Sequence, residues 1–320
     1  MKKLYESTWL FCLKRIITLP FVLVGVSLIT FIFVRFVPVE PAEVILRLSR
    51  IAPTPEAIQA LREELGTDKP LLIQYFIWLK GVLQFDFGTS FVSKLPVGQE
   101  IFAKLPATIE LAFAAFALII CCSIPLGVIC ALYKNSIVDK LIGFLSIISV
   151  SIPTFWLGFL LLYIFSLKLG FFPSNGKGSL SHIVLPAVAL ALPVIGLFTQ
   201  SIRTSVIDEL QKPYVHYAQL RGLKKHIILS RHVLKNAAIP VTTMLGMTLG
   251  NLLGGAVIVE QVFSWPGLGR YLIESIINRD YPVVQSYVLI IAIIYVVANL
   301  CTDILQRVLD PRSAIMERRG

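Results

Sequence analysis

The chain has 320 residues, of which 56% are hydrophobic and only 15% charged, with a mean hydropathy of +0.79 and a net charge of +10. Such a composition excludes an ordinary soluble domain and places the chain among polytopic membrane proteins. A charge of +10 on its own would fit either a nucleic-acid ligand or a membrane topology, and the positions of the charges decide between them.

In chain order, apolar runs longer than the roughly 18 residues needed to cross a bilayer predict six transmembrane helices, at about 16–37, 107–133, 141–167, 183–202, 237–259 and 283–305. The first run is too long for a signal-peptide core and lacks a small-residue cleavage site, so it is expected to stay as a span. Arg35, near its outer end, is expected to snorkel to the interface. With the N-terminus inside, segments 1–15, 134–140, 203–236 and 306–320 are cytoplasmic and hold most of the Lys and Arg. The remainder lies mostly on one long outer loop, where the positive-inside rule counts less. Both termini are therefore expected in the cytoplasm. The positive charge is an orientation signal and implies no nucleic-acid partner.

Residues 1–106 comprise this first span and a long extracytoplasmic loop. Within the loop, Ala60 to Gly66 reads as a short helix closed by glycine, and Leu71 to Leu83 as an apolar helix too short to cross, packed on the outer face. Asp86-Phe87-Gly88-Thr89-Ser90 reads as a turn. It is not a kinase signature, because no glycine-rich loop or catalytic-loop motif accompanies it. A loop of this size is where a soluble partner would bind from outside. The second span opens near Glu110, expected to be interfacial and paired. Pro125, Pro153, Pro186 and Pro193 fall inside spans two to four, where neighbouring helices can satisfy the freed carbonyls.

Between spans four and five lies Pro213 to Pro240, PYVHYAQLRGLKKHIILSRHVLKNAAIP. Proline at the first position, helix-forming residues to Arg221 and then Gly222 predict a short capped helix. A second helix is predicted from about Lys224 to Lys235, with Ile227, Ile228, Leu229, Val233 and Leu234 as its apolar face. Paired amphipathic helices of this kind suit a docking platform for a cytoplasmic partner. A lipid-surface helix pair, a solvated loop and a superficial mimic of helix-turn-helix are the other readings of the residues alone.

In the fifth span, Gly246, Gly250 and Gly254 recur every four residues, a small-residue stripe that lets another helix approach closely. Packing within the bundle is one use. A subunit interface or a pore wall is the other, with Met244, Met247 and Asn251 facing the path. After it, Glu260, Trp265-Pro266-Gly267 and Arg279-Asp280 form a short outer element.

Several chemistries have no residues to support them. Gly176-Lys177 is followed by Gly178, and Phe171 stands where the leading glycine of a Walker A loop would be. Neither a zinc-protease HExxH nor a nucleophile-elbow GxSxG occurs. Four histidines, His182, His216, His226 and His232, form no ligand set. Five cysteines, four of them within spans, suggest neither disulfides nor metal binding. A secondary transporter would need acidic residues deep in a span for ion coupling, and Glu110 is too near the surface.

The loop with Ala218 and, four residues on, Gly222 resembles the segment by which permease subunits of ABC importers engage their ATP-binding subunits. Tyr217 replaces the carboxylate common in the wider superfamily, a departure familiar in the peptide and nickel branch. The stretch from Val257, VIVEQVFSWPGLGRYLIESIINRDYPVVQ, and the finish ILQRVLDPRS resemble the dipeptide, oligopeptide and nickel permeases. This resemblance implies an all-α polytopic protein of the type I ABC importer permease fold, with a transmembrane core over 107–305, a coupling loop over 205–236 and a cytoplasmic tail over 306–320. By the same resemblance, Tyr217, Ala218, Leu220, Gly222, Leu223 and His232 would couple to ATPase subunits. Gly246, Met247, Gly250, Asn251 and Gly254 would pack against a partner subunit or the pore. Trp265, Pro266, Gly267, Arg279 and Asp280 would contact an extracytoplasmic solute-binding protein. The implied partners are a second related permease, two ATP-binding subunits that carry the ATP and Mg, and that binding protein, all at a bacterial inner membrane. The chain itself would bind no cofactor and would be no enzyme. Leu46-Arg47-Leu48-Ser49 and Pro53-Thr54-Pro55-Glu56, with Val39-Glu40-Pro41 in place of Gly-Asp-Pro, look more like the nickel branch than the peptide branch. Nickel, carried as a chelate, is the expected cargo, with di- or oligopeptides as the alternative.

Overall fold

The computed structural model describes residues 2–36 and 40–309, and apart from one isolated bridge between Thr89 and Pro96, its regular structure is helical. The predicted tail beyond Leu309 and the Val39 position lie outside the described residues. The chain divides into two compact units, one built from residues 1–13, 109–265 and 297–320 and the other from 14–108 and 266–296.

The second of these units begins on α1 (Lys2–Arg35) and continues through α2 (Pro41–Leu48), α3 (Pro55–Leu65) and α4 (Leu71–Leu83). Thr54 caps α3 by accepting from the Ala57 N–H at 3.3 Å, and Gly66 ends it with a positive φ of 65°. The glycine end matches the sequence expectation, whereas the helix begins at Pro55 rather than at the predicted Ala60. α4 packs on α1: Tyr75 meets Phe31 edge-on with ring centroids 5.4 Å apart, and its hydroxyl is 2.8 Å from Ser27 Oγ. The unit is completed by the start of α5 (Val97–Leu132), by α12 (Leu268–Ile277) and by the first turns of α13 (Tyr281–Leu309). Its core is Phe87, Val97, Ile101, Leu268, Val283, Tyr287 and Ile290. The predicted turn at 86–90 is present, with the Gly88 N–H donating to Asp86 Oδ1 at 2.9 Å.

In the other unit, α8 (Leu180–Leu210) packs against α6 (Ile137–Ser151), α7 (Thr154–Leu161) and α11 (Leu234–Val262). The connection between α8 and α11 holds α9 (Pro213–Leu220) and α10 (Lys225–Ile228). Glu110 is paired, as expected, with Lys177.

Among the described residues, five helices are long and apolar enough to cross a membrane, and a sixth crossing exists if α6 and α7 with its continuation to Lys168 count as one. That pair differs from the single span predicted over 141–167. It bends by 107° at its break. Pro153 has no N–H and pushes Ile152 out of the helical region, to φ −80° and ψ 126°. A second difference follows α10. The predicted separate helix ending near Lys235 instead runs through a wide π turn, Leu229–Val233, straight into α11. Nothing in 225–239 terminates a helix, and Pro240 is absorbed within α11.

Arg35 also departs from expectation. Rather than reaching outward, its guanidinium lies 5.2 Å from the Phe31 ring centre, and its Nε is buried without a hydrogen bond.

Candidate coupling loop and its supports

The connection between α8 and α11 is built around Gly222. After α9 the chain turns through a left-handed residue, Gly222 with φ +76°. The Gly222 N–H donates to the Gln219 carbonyl at 2.9 Å and the Leu223 N–H to the Ala218 carbonyl at 3.2 Å. These two bonds together form a Schellman cap, which satisfies the last carbonyls of α9 and fixes the angle at which α10 leaves. Ala218 faces inward with Val215, Ile228 and Val233, all buried. On the outer side, Tyr217 and Leu220, three residues apart and so on one helix face, are 67% and 71% exposed. Leu223, just past the cap, is exposed as well. Lys224, Lys225 and His232 are exposed too. Alongside, a recess of about 340 Å³ is lined by Leu132, Leu210, Gln219, Lys225, His226, Ile228 and Leu229.

Tyr214 ties the flanks of the loop together. Its hydroxyl donates to Glu209 Oε1 at 2.8 Å, near the end of α8, and accepts from Asn236 Nδ2 at 3.2 Å, in the first turn of α11. Burial holds its phenol above the ordinary tyrosine value. A second support lies at the turn before α6. There the Arg203 guanidinium donates bidentately to Asp139, Nε to Oδ1 at 2.6 Å and the terminal nitrogen to Oδ2 at 2.7 Å. Asp139 also accepts from the Asn135 N–H at 2.9 Å. The C-terminal end of α8 is thereby fixed to the α5–α6 turn.

Along α11 the glycines part company. A Cβ on Gly246 would collide with the Thr302 side chain, so this glycine exists to let α13 approach. Gly250 is buried too, whereas Gly254 has nothing within 4 Å of where a Cβ would stand. Residues four apart advance by 400°, so a stripe of every fourth residue turns about 40° per step around the helix and leaves the packed face. Met247, Asn251, Gly254 and Ile258 instead share one face and are all exposed. Met244 does not join them; the Ser201 hydroxyl donates to its sulfur at 3.1 Å.

The outer element is mostly buried. Trp265 is 1% exposed, and Lys177 lies 5.5 Å from its ring centre. Asp280 is 1% exposed and accepts from Ser90 Oγ at 2.5 Å and from the Phe91 N–H at 3.1 Å. Gly267 is buried, and of the five residues expected to meet a binding protein, Pro266 and Arg279 are exposed.

Residues 123–315, which contain the loop, its supports and α11, match the pattern of the binding-protein-dependent transport system inner membrane component, and residues 9–112 match the N-terminal part of such membrane components. The chain belongs to that family. It is 34% identical over 330 aligned positions to the dipeptide transport system permease protein DppB of Alkalihalophilus pseudofirmus, covering 94% of this chain and 98% of the relative. It is 38% identical over 303 positions to the glutathione transport system permease protein GsiC of Pectobacterium atrosepticum, covering 93% and 97%. Among solved structures, an inward-facing MetNI methionine ABC transporter superposes with a TM-score of 0.55 at 18% identity, over 66% of this chain and 96% of that one. That likeness concerns the fold.

A multi-pass permease of the inner membrane, working with ATPase and binding-protein partners, is what membership means for this chain. Within the permease, sequence reasoning identified the capped helix but missed Tyr214, Glu209, Asn236, Asp139 and Arg203. Asp139 and Arg203 are 64 positions apart, and nothing local in the sequence pairs them. The Ser136 side chain, which accepts from the Asp139 N–H at 3.3 Å, was the available sign that a helix starts there.

Proposed function

We propose that this permease forms half of the translocation path of an ATP-driven importer of short peptides. The observation that carries the substrate reading is that relatives covering nearly the whole chain are named as dipeptide and glutathione permeases. It outweighs the loop residues near 46–56, which had pointed to chelated nickel and which indicate kinship rather than contact with cargo. A second, homologous permease would complete the path against the exposed face of Met247, Asn251, Gly254 and Ile258. One polar side chain on an otherwise apolar span face suits a water-lined or protein-covered surface better than lipid.

Two ATP-binding subunits, which supply the ATP and Mg that this chain has no motif to hold, would dock on the 205–236 loop of the two permeases. The Tyr217, Leu220 and Leu223 ridge fits a groove on such a subunit. When those subunits close, the Gly222 cap transmits the movement because α10 continues without a break into α11. An extracytoplasmic solute-binding protein would deliver cargo on the opposite side, with both termini in the cytoplasm.

The test is uptake in cells deleted for this chain and complemented with it, using a radiolabelled dipeptide and nickel-63 in parallel. Loss of dipeptide uptake on deletion, restored by the chain, is the expected result. Unchanged peptide uptake with lost nickel uptake would return the cargo to the nickel branch.

A further inference from the structure

In the unit formed by residues 14–108 and 266–296, a cavity of about 580 Å³ opens between the end of α1, the start of α2, the end of α3 with the turn after it, α4, the 87–91 segment and the start of α13. Its volume lies within the range of small-molecule sites. Four side chains lining it each bury a polar atom with no hydrogen bond: Arg35 Nε, Gln74 Oε1, Trp78 Nε1 and Gln285 Nε2. Buried polar groups are nearly always paired, because an unpaired one has lost its bonds to water with nothing in return. Four such atoms around one cavity mark a place built to pair with something else.

Their chemistry defines the occupant. Arg35, Trp78 and Gln285 offer N–H donors, and Arg35 brings a positive charge. The orientation of Gln74 is fixed, since its Nε2 donates to the Thr67 carbonyl at 3.0 Å and the Lys69 carbonyl at 2.7 Å. Its Oε1 therefore stays an acceptor. Gln285 and Gln74 are 5% and 9% exposed, so neither can turn to bulk water instead. The stack of Arg35 on Phe31 and the 6.2 Å approach of Trp78 to the same ring hold the donors in place. Two carboxylates, Glu63 and Glu64, also line the cavity, but both are exposed and solvated, and Glu63 already accepts from Gln59 Nε2 at 3.0 Å.

We propose that this cavity binds a carboxylate with a neighbouring N–H, the chemistry shared by a free amino acid and the C-terminal end of a short peptide. The carboxylate meets Arg35 and the Trp78 and Gln285 donors, and the ligand N–H meets Gln74 Oε1. This inference stands on the cavity and is independent of the transported cargo.

The experiment is isothermal titration of the full chain, assembled with its partner permease and ATPase subunits in nanodiscs and without the soluble binding protein. The probes are alanyl-alanine, free alanine and alanyl-alaninamide. Binding of the dipeptide, the amino acid or both, with at least a tenfold weaker response to the amide, is expected and identifies the source of the carboxylate. Arg35→Gln should weaken binding at least about tenfold and Trp78→Phe, which removes one N–H while keeping an aromatic ring, about fivefold. Should Arg35→Gln fail to assemble, Trp78→Phe decides the matter. No binding of either acid, an amide that binds within twofold of its acid, or full affinity in Trp78→Phe would overturn the proposal.

Discussion

The Leu223 N–H reaches back to the Ala218 carbonyl at 3.2 Å, across the left-handed Gly222. Ala218 and Gly222 are thus two parts of one helix cap. Ala218 supplies the buried face and the acceptor, and Gly222 supplies the backbone angle that lets Leu223 return to it. Open space surrounds the Gly222 Cα, so a substitution there acts through backbone strain and not through a clash.

Gly222→Val should therefore cost about 2 kcal/mol in the cap, misdirect α10 and abolish uptake, while membrane insertion stays normal. Gly222→Asn, which tolerates the left-handed region, should keep most of the activity. Uptake and membrane abundance, measured on the same cells, give the answer. Normal uptake by a well-inserted Gly222→Val chain would remove the loop from the coupling role.

Asp139→Asn should destabilise the protein by about 3 kcal/mol, because it leaves the Arg203 charge facing a neutral group in a largely buried pair. Asp139 is only 5% exposed on its side chain. The double variant Asp139→Ala with Arg203→Ala should lose less than the sum of the two single changes. Thermal unfolding of the detergent-purified chain measures all four variants.

What the sequence made legible, and what it did not, divides by the range of the physics involved. Helix termini written in neighbouring residues were readable: Gly66 on α3, Pro213 and Gly222 on α9. Span lengths were readable because hydropathy is local. The 107° break at Ile152-Pro153 was foreshadowed by its proline, but proline within a span allows anything from a slight kink to a full stop. Pairs such as Arg203 with Asp139, or Ser90 with Asp280, join positions far apart, and no local pattern marks them. The glycine stripe was visible as a spacing, yet only the turn of the helix separates Gly246, packed on Thr302, from the open Gly254.

That separation is testable. Gly246→Leu forces a side chain into Thr302 and should destabilise the permease itself by about 1–3 kcal/mol. Gly254→Leu meets nothing within the chain. It should leave the unfolding temperature of the isolated permease unchanged and reduce its co-purification with the second permease. Wild-type assembly and uptake by Gly254→Leu would exclude the face of Met247, Asn251, Gly254 and Ile258 as an interface.

The last expectation concerns alkaline pH. Tyr271 is partly buried in α12, outside the spans, and its hydroxyl donates to Glu100 Oε2 at 2.8 Å. Burial first, and the neighbouring Glu100 carboxylate second, push its phenol well above the usual tyrosine value. An unfolded tyrosine ionises near pH 10, so above that pH the unfolded chain sheds a proton that folded Tyr271 keeps. The stabilisation from Tyr271 is complete below pH 10 and declines as pH rises further, by up to about 1.4 kcal/mol for each unit until the folded phenol itself ionises. Tyr271→Phe should flatten this part of the decline. Glu100 would not be stranded in that variant, because Ser93 Oγ still donates to it at 2.7 Å. The drop in unfolding temperature between pH 9 and pH 11 should accordingly be larger for the wild-type chain than for Tyr271→Phe, and equal drops would mean that Tyr271 ionises as an ordinary exposed tyrosine.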